Sequence, residues 1–196
     1  REFRIIEPRG IRQIVLPLVG SLILYFLAAA FAFNIFFIVA TCVLVMPWAS
    51  KLTEHAKYDM YIGHVKRDPA VSYLVLFFSG IALLLGTHML MHLSIEIPFL
   101  RGCPFVEEIN ASAGWWKKIL YIGILVPVLE ELVFRGIVYN VFRFKMNLTL
   151  AMCFSALLYA LFQIGLEKTP YLIVMGFLLA YAYEYFGTIA IPVLLH

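Results

Sequence analysis

The sequence predicts an all-α, polytopic membrane helix bundle of about six to seven transmembrane helices, and its charge content and apolar blocks carry that expectation. The 196 residues are 63% apolar and 14% charged, too few charges for the surface of a water-soluble globule. The apolar residues come in long uncharged blocks, each near the roughly 20 residues that a helix needs to cross a hydrocarbon core. Only three cysteines are present, Cys42 and Cys153 within apolar blocks and Cys103 alone in a loop, so a disulfide-stapled module is excluded along with disorder and a coiled coil. The net charge of +3 is dispersed over the loops, which argues against nucleic acid as a partner and for lipid headgroups. The chain opens on Arg1 without a cleavage pattern behind a short apolar core, so a trimmed product without a removable signal is expected.

The block Ile14 to Ala49 holds no charge. As one straight helix it would reach about 54 Å, well beyond a hydrocarbon core of about 30 Å. Two helices are expected, over 13–31 and 34–49 with Asn34 near the turn; a single broken or tilted helix is the alternative. Residues 50–70 carry Lys51, Glu54, Lys57, Asp59, Lys66, Arg67 and Asp68 and read as a cytosolic connector along the headgroup layer. A span follows over 71–93, then a polar interval to about 118 in which Trp115 and Trp116 precede two lysines as an interfacial anchor. Three further spans are expected over 118–142, 148–165 and 170–186, and an apolar run over 188–195 ends the sequence. With the amino terminus inside, the loops 1–12, 50–70 and 143–147 hold ten of the fifteen Lys and Arg, the bias expected of inner loops.

The stretch Pro127-Val128-Leu129-Glu130-Glu131-Leu132-Val133-Phe134-Arg135 puts two acids and a base inside one of these spans. Insertion scales charge roughly 2.5–3.5 kcal/mol for each such residue at the bilayer centre against a gain of about 0.3–0.6 for each Leu, Ile, Val or Phe. The fifteen apolar residues of those types in the span barely offset it, so the charged face must turn to other helices or to a water-filled cavity. Glu131 and Arg135, at i and i+4 with the acid first, are placed for an intrahelical pair. Glu130 points about 100° away from Glu131 and is the carboxylate left for general-base work. Pro127 removes a backbone donor and leaves the carbonyl of Gly123 without its usual partner, a kink that can admit water. A cluster that only locks helices together is the alternative.

Glu130-Glu131 followed by Arg135 resembles the first motif of the CPBP family, the CAAX-protease and bacteriocin-processing membrane proteins that include glutamic intramembrane proteases. Tyr183-Glu184-Tyr185-Phe186-Gly187, leading to Pro192 and His196, is similar to the family's third-motif region. The run from Phe154 to Gln163 resembles the surroundings of the second motif, Ser-x-x-x-Phe-x-x-x-His, with Ser155 in place, Tyr159 where Phe is usual and Gln163 where His is usual. The likeness covers roughly 115–196, expected to be a CPBP-like catalytic core within a single membrane domain, 1–196.

The resemblance implies that Glu130 activates water, that Glu131 and Arg135 hold the site's electrostatics, that position 163 helps to hold the water, and that His196 stabilises the developing oxyanion. A glutamine amide can donate a hydrogen bond but cannot take up and return a proton near neutral pH. The expected function is therefore a metal-independent intramembrane endopeptidase without cofactor, acting on a membrane-associated peptide such as a prenylated carboxy terminus. The alternative is a catalytically impaired relative serving as a peptide-binding, immunity or scaffold protein; a transporter or channel subunit dependent on Glu130 is a third class. The expected location is a multi-pass position in a prokaryotic cytoplasmic membrane or the endoplasmic reticulum.

Other signals are weaker. His88, His92 and Glu96 recur at helical spacing, but Met89 stands where a zincin needs Glu, so interfacial histidines are the preferred reading over a metal site. His55 and His64 read as solvated. Asn110 and Asn147 open formal glycosylation sequons that are discounted. Gly165, Gly176 and Gly187 are expected to allow close helix approach or to mark span ends rather than to bind phosphate.

Overall fold

An apolar block in a bilayer has no water to receive its backbone N–H and C=O groups, so it satisfies them internally as helix. In the computed structural model, which describes residues 11–30, 35–55, 115–163 and 169–196 with single helical positions at 74 and 81, the first block forms two helices, α1 (Ile11–Ala30) and α2 (Ile35–His55). Both are long and apolar enough to cross a membrane. The two-helix expectation holds, and the expected turn at Asn34 lies outside the described residues. Pro17, Ser21, Tyr25 and Ala28 form the buried stripe of α1, and Ile38, Thr41, Val45, Ala49 and Leu52 that of α2, the three- and four-residue steps of one helix face. Phe26, Phe36 and Val43 are 63%, 81% and 64% exposed on the other faces, as lipid-facing side chains are.

The amino-terminal end of the expected connector is corrected. α2 runs on through His55 because nothing in 50–55 breaks a helix and its burial pattern continues: Leu52 and Thr53 turn inward, Lys51 and Glu54 outward. The expected span 71–93, the rest of the connector, the polar interval to 114, and with them His64, His88, His92, Glu96, Cys103 and Asn110, lie outside the described residues, apart from positions 74 and 81.

The charged span is a continuous helical rod: α3 (Trp115–Leu120), a π-helical segment π1 (Tyr121–Leu125), α4 (Val126–Val133), a second π segment π2 (Phe134–Tyr139) and α5 (Asn140–Lys145). Every residue from Leu129 to Val141 is buried, so this part of the rod is central rather than amphipathic. The distortion expected at Pro127 takes a definite form, because Pro127 stands in the first turn of α4, where a missing N–H costs least, directly after π1 has widened the backbone. Carbonyls loosened by π2 find side chains: Ser155 Oγ donates to the carbonyl of Phe134 at 3.2 Å and Asn140 Nδ2 to that of Gly136 at 3.0 Å.

Three more helices complete the described architecture: α6 (Leu148–Phe162), α7 (Thr169–Phe186) and α8 (Ala190–Leu195). Asn147, read from sequence only as a discounted sequon, is the N-cap of α6, its Oδ1 accepting from the backbone N–H of Leu150 at 2.9 Å. Gly187 ends α7 with φ 69°, a left-handed turn that glycine adopts without strain. Gly176 brings α7 against α6, since a Cβ there would lie 3.0 Å from the backbone Cα of Ala156 and 3.1 Å from the Tyr159 ring. A backbone atom cannot rotate away. Gly176→Val should therefore force α6 and α7 apart and destabilise the bundle by about 1–3 kcal/mol, read as a lower unfolding midpoint in detergent, with Gly176→Ala falling in between; a Val variant that unfolds with the parent would contradict this packing.

Candidate active site

The site is assembled where α1, α4, π2, α6, α7 and the end of α8 meet. Glu130 and Glu131 leave adjacent positions of α4 and are 2% and 0% exposed, so their charges must be answered by protein groups. Glu131 is answered by Arg135 one turn later, Nη1 to Oε1 at 2.8 Å, as the spacing predicts. The guanidinium donates through Nη2 to the carbonyl of Gly176 at 3.1 Å and lies 4.8 Å from the centre of the Tyr159 ring, a cation over a π face. Among the described residues Glu131 Oε2 and Arg135 Nε have no hydrogen-bond partner.

Arg135 faces Glu131, so Glu130 is left to uncharged donors and one imidazole. Its Oε1 accepts from the Tyr25 hydroxyl at 3.0 Å and the Gln163 amide at 2.5 Å. Its Oε2 accepts from the Tyr159 hydroxyl at 3.1 Å and lies 3.3 Å from His196 Nε2. Four polar groups thus lie within 3.3 Å of its two oxygens.

His196 sits at the carboxy-terminal end of α8, where its ring spans the two acids: Nε2 faces Glu130, and Nδ1 is 3.1 Å from Glu131 Oε1. Glu131 Oε1 is thus shared between Arg135 and His196 and fixes the orientation of the imidazole relative to Glu130. The side chain of His196 is 13% exposed and Gln163 is partly exposed, so among the described residues of the cluster these two are the less buried. Gln163 lies just beyond α6 with an extended backbone, φ −76° and ψ 128°, which carries its amide off the helix and toward Glu130.

The structure brings together all five residues singled out from sequence, Glu130, Glu131, Arg135, Gln163 and His196. Two further side chains reach the same carboxylate. Tyr159 was noted only for standing where Phe is usual. Tyr25 was not singled out at all, and the signal was available: a phenol in an uncharged block, one turn from Ser21 on the same face. Phe134 packs edge-on between them, its ring centre 5.3 Å from that of Tyr25 and 5.1 Å from that of Tyr159, and so sets the spacing of the two hydroxyls.

Fold and site together describe an all-α membrane helix bundle with a buried carboxylate–imidazole centre. Residues 112–196 match the family of type II CAAX prenyl endopeptidases, Rce1-like, so the CPBP resemblance seen in the motifs holds over that segment, the part that supplies every site residue except Tyr25. The UPF0177 protein YajF of Lactococcus lactis subsp. lactis (strain IL1403) is 35% identical over 60 residues, which are 31% of this chain and 28% of that protein. The aligned stretch thus covers under a third of either chain. No solved structure matches.

Proposed function

We propose that this protein is an intramembrane endopeptidase of the CPBP type that hydrolyses a peptide bond in a membrane-associated peptide, the class that includes prenylated carboxy termini, by Glu130-activated water without a metal. The observation that carries the reading is the meeting of Glu130 Oε2 and His196 Nε2 at 3.3 Å, from helices far apart in sequence. Peptide hydrolysis needs a base beside the water and a donor beside the carbonyl oxygen that becomes an oxyanion. Glu130 supplies the first and His196 the second, with Glu131 and Arg135 holding the imidazole in place. The family match over 112–196 supports the same reaction class.

A second reading, a peptide-binding relative that does not cut, is favoured by one observation. The Gln163 amide lies 2.5 Å from Glu130 Oε1, and an amide there occupies the base without being able to exchange a proton with it. Turnover of a membrane-embedded fluorogenic peptide by the reconstituted protein decides between them. Slow cleavage by the parent, accelerated on the order of 10²-fold or more by Gln163→His, supports the endopeptidase. Peptide binding with no cleavage by either protein supports the binder.

A further inference from the structure

We propose that Tyr159 is a catalytic proton relay in this site, carrying the proton that Gln163 cannot; the proposal rests on the endopeptidase reading above. The Tyr159 hydroxyl is 3.1 Å from Glu130 Oε2 and 3.3 Å from His196 Nε2. It therefore stands between the base and the oxyanion donor, the place that the scissile carbonyl and its leaving nitrogen must approach. Gln163 and Tyr25 both engage the other oxygen, Oε1, and Tyr25 also meets the Gln163 amide at 3.3 Å. Among the described residues, the Tyr159 phenol alone of the neutral groups on Glu130 touches the Oε2 face shared with His196 and has a hydroxyl proton to give.

The sequence gives the same residue a second reason to be considered. Tyr159 and Gln163 are one helical turn apart, and at these two positions the chain departs from the second-motif pattern in opposite senses: a proton-carrying side chain is absent at 163, and a hydroxyl is present at 159. Arg135 lies over the Tyr159 ring at 4.8 Å, where its charge offsets negative charge gathering on the phenol oxygen while a proton is in transit.

The step balances without any further reactant. Glu130 takes a proton from water as the water oxygen bonds to the peptide carbonyl carbon, and His196 donates a hydrogen bond to the carbonyl oxygen as it becomes an oxyanion. On collapse the carbon–nitrogen bond breaks and its electron pair stays with nitrogen. That nitrogen takes the Tyr159 hydroxyl proton while the phenol oxygen takes the proton held by Glu130. The carbonyl re-forms as a carboxylic acid, the amine leaves, and both Tyr159 and Glu130 return to their starting states.

The test is a four-protein cycle in reconstituted membranes: the parent, Tyr159→Phe, Gln163→His, and the variant with both substitutions, each assayed for kcat and KM on the same membrane peptide, with a thermal melt for each. The relay predicts that Tyr159→Phe lowers kcat by at least about 100-fold with KM within about threefold of the parent. It also predicts that Tyr159→Phe costs at least tenfold less in the Gln163→His background than in the parent, because the imidazole takes over the proton. Packing alone would move kcat equally in both backgrounds and would follow the melting temperature, so equal losses overturn the relay, as does a Tyr159→Phe protein with undiminished kcat. Cleavage by none of the four proteins, with all melting like the parent, overturns the endopeptidase reading and the relay with it, whereas cleavage confined to the two Gln163→His proteins, with none by the parent, overturns the relay alone.

Discussion

Glu130→Gln should abolish peptide cleavage while leaving the bundle folded. The substitution removes the proposed base and preserves shape almost atom for atom. The Gln side chain keeps one oxygen to accept from Tyr25 and Gln163, which meet Oε1 at 3.0 and 2.5 Å. Its new amide N–H₂ replaces Oε2, where the Tyr159 hydroxyl and His196 Nε2 now point; a hydroxyl can turn and accept as well as donate, so no donor need be left facing a donor there. A buried charge disappears, and with 2% of Glu130 exposed its loss carries no hydration penalty. The variant should therefore melt no earlier than the parent, as is common when a site that sacrifices stability for chemistry is neutralised. Its kcat should fall by on the order of 10²–10⁴, the worth of a positioned general base, since among the described residues the neighbouring carboxylate, Glu131, is bound to Arg135 and His196. Retained cleavage by Glu130→Gln would remove Glu130 from the mechanism.

Much of this architecture was legible because burying charge in a bilayer is expensive. Three charges in one apolar span had to meet one another or other helices, so Glu131 and Arg135 pair at 2.8 Å as their spacing demands, and the stretch bearing them, 129–141, is buried throughout. The division of the block into α1 and α2 followed from length alone, since an uncharged block of that size overshoots one bilayer. The family resemblance implied that Gln163 and His196 belong at the same carboxylate. What escaped notice did so for physical reasons. Tyr25 reaches Glu130 across 105 residues, and no local period records a contact between helices. Pro127 announced a distortion but not its kind, and π2 was not announced at all, because its widening goes with side chains, Ser155 and Asn140, that bond the carbonyls of Phe134 and Gly136. The end of α2 was drawn at the first charges, although Lys51 and Glu54 on an outward face are compatible with a helix that continues toward the headgroups. Asn147 matched a modification sequon and is instead a helix cap, a reminder that a short polar side chain before an apolar run has a backbone role first.

Arg135→Met should be the most destabilising single change in the described bundle, and its cost should be largely reversible by a second substitution. Arg135 and Glu131 are each 0% exposed. Removing the guanidinium leaves the Glu131 carboxylate buried with His196 Nδ1 as its remaining neighbour at 3.1 Å, and withdraws the donor from the Gly176 carbonyl that ties π2 to α7. Breaking one side of a buried pair typically costs about 3–5 kcal/mol, most of it the burden of the stranded charge. If that is the origin of the loss, Glu131→Gln combined with Arg135→Met should recover the greater part of it, because the pair's own net contribution is small once desolvation of both ions is counted. Activity should not follow stability. Without a charged Glu131 the imidazole of His196 has only a neutral amide oxygen in place of the carboxylate that orients it toward Glu130, so the doubly substituted protein should fold and bind peptide but cleave it at least 10-fold more slowly than the parent, in line with the usual effect of an outer hydrogen-bonding partner. Unfolding midpoints in detergent for the parent and the single and double variants measure the first claim, and peptide turnover measures the second. A double variant as unstable as Arg135→Met alone would show that the guanidinium acts chiefly through Gly176 and the Tyr159 ring rather than through the carboxylate.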